Sequence, residues 1–262
     1  MHVNSAGNAY YARMATLLAI IPHPDDEAYA FGGTIALAAR AGWRCLVECV
    51  TFGEGGERHD GGGPDPGMVA LARARELDDS CAKLGAKPPE FWGWPDGGLV
   101  DRKDGVRRTR TAIRRAQADV VLSLGPDGAY GHPDHLAVYA WVRDAIATLE
   151  SAPLTLYAAF SRGLFLPQYD KCVASGIMGD PPLLAAEGIG VDQPDIALST
   201  AAVRDLKLAA IGAHRSQLPG GDPRALFPDG LVDALLDEEW FTVGTEQREP
   251  AVQFARLLGE AG

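Results

Sequence analysis

The stretch Ala15-Thr-Leu-Leu-Ala-Ile-Ile21, with Pro22-His-Pro-Asp-Asp-Glu27 directly behind it, decides the predicted fold of this chain. A continuous apolar run that ends at a proline is typical of a strand buried on both faces of a parallel sheet. Helical character follows from Glu27 to Arg40, so the polar motif lies at the carboxyl end of the strand. Open α/β sheets bind their ligands beyond that end.

A second segment has the same organisation. Asp119-Val-Val-Leu-Ser-Leu124 predicts another buried strand, and Gly125-Pro-Asp-Gly128 predicts a loop. We expect a helix from Leu136 to Leu149, opened by a turn at Pro133-Asp134. Two strand-to-helix loops at one edge of a sheet would bring the polar residues of both segments together.

The predicted fold is α/β, a Rossmann-like three-layer αβα arrangement with a mostly parallel sheet. The chain has 262 residues, of which 47% are hydrophobic, and this is enough for one large core. We therefore expect a single domain over residues 14–262. Residues 1–13 precede the first strand and are expected to form a loosely attached N-terminal extension.

Imidazole and carboxylate groups are concentrated in two short motifs, His23-Pro-Asp-Asp-Glu27 and His132-Pro-Asp-His135. Histidine and aspartate are ligands that Zn²⁺ accepts, and a catalytic zinc commonly keeps three protein ligands and one water. The simpler interpretation is a pair of helix starts, each capped by an aspartate. Capping does not explain a histidine before each proline, a second carboxylate at Asp26, or His135. The pattern therefore favours one shared metal site.

With these motifs the chain resembles the zinc-dependent N-acetylglucosaminyl deacetylases of the PIG-L or LmbE type. That family shows His-Pro-Asp-Asp-Glu near its N-terminus and Gly-His-Pro-Asp-His in mid-chain, and both stand here without a substitution. The resemblance covers roughly residues 15–218. Its weaker parts are Thr51-Phe-Gly-Glu-Gly-Gly56, Arg73 with Glu76-Leu77 and Leu84-Gly85, Trp94-Pro-Asp-Gly-Gly98, and Lys207 with His214-Arg-Ser-Gln217.

The resemblance implies roles for the two motifs. It implies that His23, Asp26 and His135 hold the metal, that Asp25 is the general base, and that His132 assists the tetrahedral intermediate. The chemistry agrees with this division, because adjacent aspartates in a loop point differently and only one need reach the metal. The second carboxylate is then free to take a proton from water.

Further site residues are expected from the same resemblance. Asp134 would orient His132, and Tyr130 matches a position that reaches the oxyanion, although an exposed loop tyrosine needs no role. Arg73 and Asp96 match positions that face the sugar, and Glu54 belongs to a glycine-rich loop of the kind that carries substrate contacts. The alternatives are that Arg73 pairs with Glu76 or Glu54 on the surface and that Asp96 only holds its turn. His214 and Gln217 support the site or cap a helix end.

Composition excludes several partners. The net charge of −11 and the pI near 5.0 argue against nucleic acid, whose binding needs a cationic face. The basic run from Arg102 to Arg115 is interpreted as a solvated helix face. No segment approaches the roughly 20 apolar residues of a membrane span, and residues 1–8 show neither the basic nor the apolar region typical of a signal peptide. We therefore expect a cytoplasmic protein. Its four cysteines, none in Cys-x-x-Cys spacing, are expected to be buried reduced thiols.

The expected activity is removal of the N-acetyl group from a glucosamine-containing small molecule, such as N-acetylglucosaminyl-malate or N-acetylglucosaminyl-inositol. The cofactor is Zn²⁺, with Fe²⁺ an alternative that the same ligands suit. Other activities left open are amidase action on a thiol conjugate, deacylation of another acylglucosamine, hydrolysis by a Ser or Cys nucleophile, and sugar or metal binding without turnover. A homo-oligomer is possible if Trp141 or Phe165 lies at a subunit contact.

Overall fold

The computed structural model describes residues 14–227 and 229–259, so the expected extension over residues 1–13 lies outside it. Its sheet contains seven strands in the order β3-β2-β1-β4-β5-β7-β6. Their bounds are β1 Thr16–Ile21, β2 Arg44–Cys49, β3 Glu90–Phe91, β4 Val120–Leu124, β5 Leu154–Ala159, β6 Ile196–Ser199 and β7 Glu238–Thr242. The first five strands are parallel to one another, while β7 is antiparallel to both β5 and β6.

Strand β1 divides the core into two halves, because its side chains alternate between the two faces of the sheet. Leu17, Ala19 and Ile21 belong to one core cluster, and Leu18 and Ile20 belong to the other. All six β1 residues are buried, as the apolar run predicted. The mostly parallel three-layer α/β fold is thereby confirmed.

Helices cover both faces of the sheet. One layer contains α1 (Asp26–Arg40), α2 (Pro66–Leu84) and α7 (Arg204–Ile211), and the other contains α3 (Gly105–Ala116) and α5 (Pro133–Ile146). The remaining helices are α4 Gly128–Gly131, α6 Leu166–Ser175, α8 Leu231–Leu236 and α9 Arg248–Gly259. No helix within the described ranges has the length and hydropathy needed to cross a bilayer.

Prolines open two helices of the fold. Helix α5 begins at Pro133, three residues before the expected Leu136, and α2 begins at Pro66. Proline is favoured in the first helical turn, where its missing N–H costs no hydrogen bond. The preceding residues cap these helices, since His132 accepts from the Asp134 amide and Asp65 accepts from the Met68 amide.

The structure tests the predicted exposure of two aromatic side chains and the predicted burial of the cysteines. Trp141 and Phe165 are only 7% and 3% exposed, so the suggestion that they lie at a subunit contact is wrong. Both pack into the core, where a large aromatic side chain removes the most apolar area from water. The four cysteines are buried and free, as predicted.

Candidate metal centre and catalytic residues

The site lies where the sheet reverses its order of strands. β1 and β4 are neighbours in the sheet, but β2 and β3 come between them in the chain, and the loops after β1 and β4 lead to helices on opposite faces. A crevice forms at such a switch point. His23 follows β1 and His135 stands in the first turn of α5, so two distant segments meet there.

The three side chains expected to bind metal lie within reach of one ion. His23 Nδ1 is 3.1 Å from His135 Nε2 and 3.6 Å from Asp26 Oδ2. His135 Nε2 is 3.6 Å from Asp26 Oδ1. Ligands about 2.1 Å from a tetrahedral ion stand roughly 3.4 Å apart, which agrees with these spacings.

The other nitrogens of both rings already have partners. His135 Nδ1 lies 3.0 Å from the Gly128 carbonyl oxygen, to which it donates. His23 Nε2 is 3.0 Å from Asp96 Oδ1 and 3.3 Å from Asp134 Oδ2. If each ring donates its proton to these partners, the lone pairs of His23 Nδ1 and His135 Nε2 face each other across 3.1 Å. A cation between the two nitrogens would stabilise that arrangement. Outer partners of this type commonly fix metal-binding histidines, so the residues present fit a divalent ion.

Other combinations of donors are also close. His23, His132 and His135 place ring nitrogens within 4.8 Å of one another, as do His23, Asp96 and Asp134 their ligand atoms. His132 Nδ1 accepts a hydrogen bond of 3.2 Å from the Asp134 amide, so the neutral ring carries its proton on Nε2. In that tautomer His132 Nε2 is a hydrogen-bond donor and has no lone pair for a metal ion.

Asp25 is held in a backbone conformation that few residues adopt. Its φ of 109° is in the left-handed region, which is costly for a non-glycine residue and recurs at functional sites. Its amide donates to Glu27 Oε2 at 3.0 Å, and its Oδ2 accepts from Arg73 Nη2 at 3.1 Å. Burial raises the pKa of Asp25 to about 6, although the positive charge of Arg73 lowers it.

Arg73 lies beneath the site and is only 5% exposed. Besides Asp25, its guanidinium donates to the carbonyl oxygens of Pro24 and Gly53. The alternative of a surface pair with Glu76 is wrong, because Glu76 instead accepts from the amide and hydroxyl of Ser216. Arg73 therefore fastens the loop after β1 to the loop after β2.

Asp134 has a different partner from the one expected. It was expected to orient His132, but its carboxylate accepts from the amides of Gly97 and Leu99 and faces His23 Nε2. Its contact with His132 runs through its own backbone N–H. Asp134 is the second residue of α5, and side chains on a helix point back towards its N-terminus. The carboxylate therefore reaches the loop after β3 and not the ring of His132.

Asp96 and Glu54 join the loops after β2 and β3. Asp96 Oδ2 accepts from the Gly55 amide, and Glu54 Oε1 accepts from the Asp96 amide, each at 3.0 Å. Asp96 thus does more than hold its own turn, since its other oxygen contacts His23. Glu54 Oε2 is buried without a hydrogen-bond partner in the part of the chain described.

Tyr130 lies against the site rather than free in solvent. Its ring centroid is 5.1 Å from that of His135 and 6.1 Å from that of His132. Its neighbour Ala129 has a φ of 63°, so this short segment is strained like the loop at Asp25.

A buried chain of hydrogen bonds behind Asp25 was not predicted. Glu27 Oε1 accepts from Ser80 Oγ at 2.5 Å and lies 2.8 Å from His214 Nε2, while its Oε2 binds the Asp25 amide. His214 is fully buried, so a supporting role is favoured over a helix cap for this residue. The only signal for Glu27 in the sequence was its place as the last residue of the first motif.

Comparisons with known proteins agree with this geometry. The family model described as PIG-L, GlcNAc-PI de-N-acetylase, matches residues 18–146. The 1D-myo-inositol 2-acetamido-2-deoxy-alpha-D-glucopyranoside deacetylase of Nakamurella multipartita is 30% identical over 281 residues, which span 93% of this chain and 89% of the relative.

Two solved structures share the fold. GalB, the 4-carboxy-2-hydroxymuconate hydratase of Pseudomonas putida, gives a TM-score of 0.64 at 25% identity and covers 87% of this chain and 95% of its own. The N,N'-diacetylchitobiose deacetylase of Pyrococcus horikoshii gives 0.59 at 23% identity, over 89% and 85% respectively. Both histidine motifs fall inside the matched segment, and the similarity to the Nakamurella enzyme extends over nearly its whole length: this chain belongs to the PIG-L family of GlcNAc-PI de-N-acetylases.

Proposed function

We propose that this chain hydrolyses the N-acetyl group of a glucosamine-containing small molecule, with a divalent metal ion, Zn²⁺ or Fe²⁺, held by His23, Asp26 and His135. The observation that carries the proposal is the position of Asp25. It stands beside three converging metal donors, with a partly buried carboxylate whose Oδ2 accepts from Arg73 and whose Oδ1 we assign to the proton.

A divalent ion bound there would polarise the amide carbonyl and make water more acidic. Asp25 Oδ1 accepts a proton from the attacking water and returns it to the amine when the C–N bond breaks. The pKa of about 6 suits both directions of transfer near neutral pH. Arg73 holds the carboxylate in place throughout.

His132 Nε2–H donates to the oxygen that becomes negative as the tetrahedral carbon forms. Burial, with the neighbouring His135 and His23, lowers the pKa of His132 to about 3, so the ring acts as a neutral donor. The Tyr130 ring lies 6.1 Å from that of His132, and we assign its hydroxyl to the same oxygen. Asp134 acts on His23, whose orientation it helps to fix.

Two observations support the substrate class: the activity named for the relatives, and the carboxylates of Glu54 and Asp96 in the loops after β2 and β3. The Nakamurella relative is named for an inositol glycoside of 2-acetamido-2-deoxyglucose. Glu54 and Asp96 place two half-buried carboxylates side by side, and carboxylates accept hydrogen bonds from sugar hydroxyls. We propose N-acetylglucosaminyl-inositol as the first substrate to test, and N-acetylglucosaminyl-malate as the second.

The test is acetate release from both conjugates by protein that has been stripped with a chelator and reloaded with one equivalent of Zn²⁺ or Fe²⁺. Activity is expected to disappear and return with the metal. Asp25→Asn is expected to bind metal normally and to lose about 10³-fold or more in kcat, whereas Asp101→Asn at an exposed position serves as the matched control. Turnover by metal-loaded Asp25→Asn at the normal rate would refute the assignment of the base.

A second candidate activity is hydration of an unsaturated acid, favoured by the structural similarity to the GalB hydratase. The same metal and base would add water to a carbon–carbon double bond instead of an amide. A 4-carboxy-2-hydroxymuconate assay on the metal-loaded protein separates the two. Hydration with no acetate release from either conjugate would favour this candidate.

A further inference from the structure

An aromatic cavity lies beside the metal-binding residues, on the side of β5. We give this name to the space walled by Tyr29, Tyr130, Phe160, Phe165 and Phe227. Their rings form a continuous series: Tyr29 and Phe227 have centroids 5.0 Å apart, Phe227 and Phe165 5.7 Å, and Phe165 and Tyr130 6.0 Å. Phe160 packs at 4.7 Å against Phe165.

The cavity opens directly at the reacting groups. Asp25 and Asp26 line it together with the aromatic rings, and it encloses about 100 Å³. Leu124, at the end of β4, and Ala129 complete the wall on the sheet side. A group attached to the carbonyl carbon under attack can therefore enter the cavity without crossing a loop.

The opposite side of the site has a different character. Glu54 and Asp96 belong to the loops after β2 and β3, carry charge, and do not line the aromatic cavity. A substrate amide held between the two sides would have its sugar amine next to polar groups and its acyl carbon next to rings. Apart from Asp25, Asp26 and Gln168 the cavity walls are aromatic and aliphatic, and such walls favour an alkyl chain, since burial of apolar groups releases water.

We propose that the aromatic cavity is an acyl-binding subsite that accepts N-acyl groups longer than acetyl, from butanoyl to hexanoyl. The inference rests on the proposed function and adds the acyl specificity of the same site. Water breaks the amide C–N bond in each case, giving the free amine and the corresponding carboxylate. An acetyl methyl leaves most of the cavity unfilled, because a group of that size needs about 10–15 Å³ of the roughly 100 Å³ through which its centre can move.

The size of the effect follows from the burial of methylene groups. Each buried CH₂ contributes about 0.8 kcal/mol, which is about a fourfold gain in binding. The centre of a water-sized group can move through about 100 Å³ of the cavity, and one such group needs about 10–15 Å³ of that volume. Several carbons therefore fit, and we expect kcat/KM to rise by about fourfold for each added methylene as far as hexanoyl and to fall for decanoyl.

The experiment measures amine release by metal-loaded protein from one glucosaminyl-inositol scaffold with acetyl, butanoyl, hexanoyl and decanoyl groups. Two variants move the optimum in opposite directions. Phe227→Ala opens the wall on a partly buried loop and should shift the optimum to longer chains, while Ala30→Leu fills the wall and should favour acetyl. Leu257→Ala, at a residue 47% exposed on α9, is the control and should keep the wild-type order.

The outcomes separate the inference from the function on which it rests. Hydrolysis of acetyl, with a loss for every added methylene and the same order in all variants, would overturn the subsite and leave the deacetylase intact. No release from any member of the series, with metal bound, would overturn both. A peak at butanoyl or hexanoyl that moves with Phe227→Ala supports the subsite, and the Ala30→Leu series decides the matter if Phe227→Ala does not fold.

Discussion

Replacing Arg73 by methionine should disable the site without removing its metal. The side chain is 5% exposed, and its guanidinium binds three acceptors: the carboxylate of Asp25 and the carbonyl oxygens of Pro24 and Gly53. Methionine has a similar length but no donor. The substitution therefore leaves two loop carbonyls and one partly buried carboxylate without this partner.

The magnitude follows from those three contacts. A hydrogen bond to a charged group contributes about 1.5–3 kcal/mol, and a buried acceptor left unpaired costs about 1–3 kcal/mol. Water reaches part of this loop, so we expect a loss of about 3 kcal/mol in the free energy of unfolding. Asp25 also loses its restraint, and a displacement of about 1 Å at a catalytic group lowers turnover by roughly 100-fold.

The assay combines urea unfolding, metal content and steady-state kinetics. Arg75→Met, two positions along the same helix at an exposed site, is the matched control and should change neither stability nor kcat. Arg73→Lys keeps the charge but cannot bind all three acceptors, so its stability and its kcat should lie between those of the wild type and those of Arg73→Met. A rise in KM at constant kcat would instead mean that Arg73 binds substrate. Arg73→Met protein that is as stable and as active as Arg75→Met would refute the reasoning.

Three further results are expected. Lys207→Met should lower the free energy of unfolding by about 3–5 kcal/mol, because it leaves the Glu239 carboxylate buried without its cation, whereas exposed Lys171→Met should not. Burial lowers the pKa of His214, but the neighbouring Glu27 outweighs this effect and raises the pKa above its ordinary value. The wild-type protein should therefore be more stable than His214→Gln by the full amount below about pH 6.5, and this difference should decline as the pH rises through the pKa of the folded state. Urea titrations at several pH values will measure it. Chelation should lower the melting temperature by a mass-action amount that returned metal restores; an unchanged melting temperature would argue against a resident ion.

The sequence predicts the elements that depend on local patterns. The apolar run of β1 and the two histidine motifs identify the sheet edge where the site forms, because burial, strand periodicity and ligand type are all visible within a few residues. The start of α5 was misplaced by three residues, since the first turn of a helix is set by its capping contacts rather than by its apolar face.

Contacts between distant segments were beyond prediction. Glu27 and His214 are 187 positions apart, and no pattern in the sequence around either residue predicts their hydrogen bond. The same holds for Asp134, whose carboxylate reaches the loop after β3 and His23 instead of the ring two residues away. Residue type and spacing indicate which side chains can bind a metal, but packing decides which carboxylate serves which histidine.

The late position of β7 in the sequence determines which strands can pair first while the chain is being synthesised. Among the described residues β6 has hydrogen-bonded strand neighbours only in β7, which is made some forty residues later and runs between β5 and β6. β7 also supplies Glu239, the partner of Lys207 and of the amides of Gly33 and Thr34 in the helix that follows the first histidine motif. While the chain emerges from the ribosome, the five parallel strands and the proposed metal ligands can assemble first, and the far edge of the sheet forms only later. A stalled chain that ends before residue 238 would therefore carry all three proposed metal ligands, while α1, which begins at Asp26, still lacks its buried anchor Glu239.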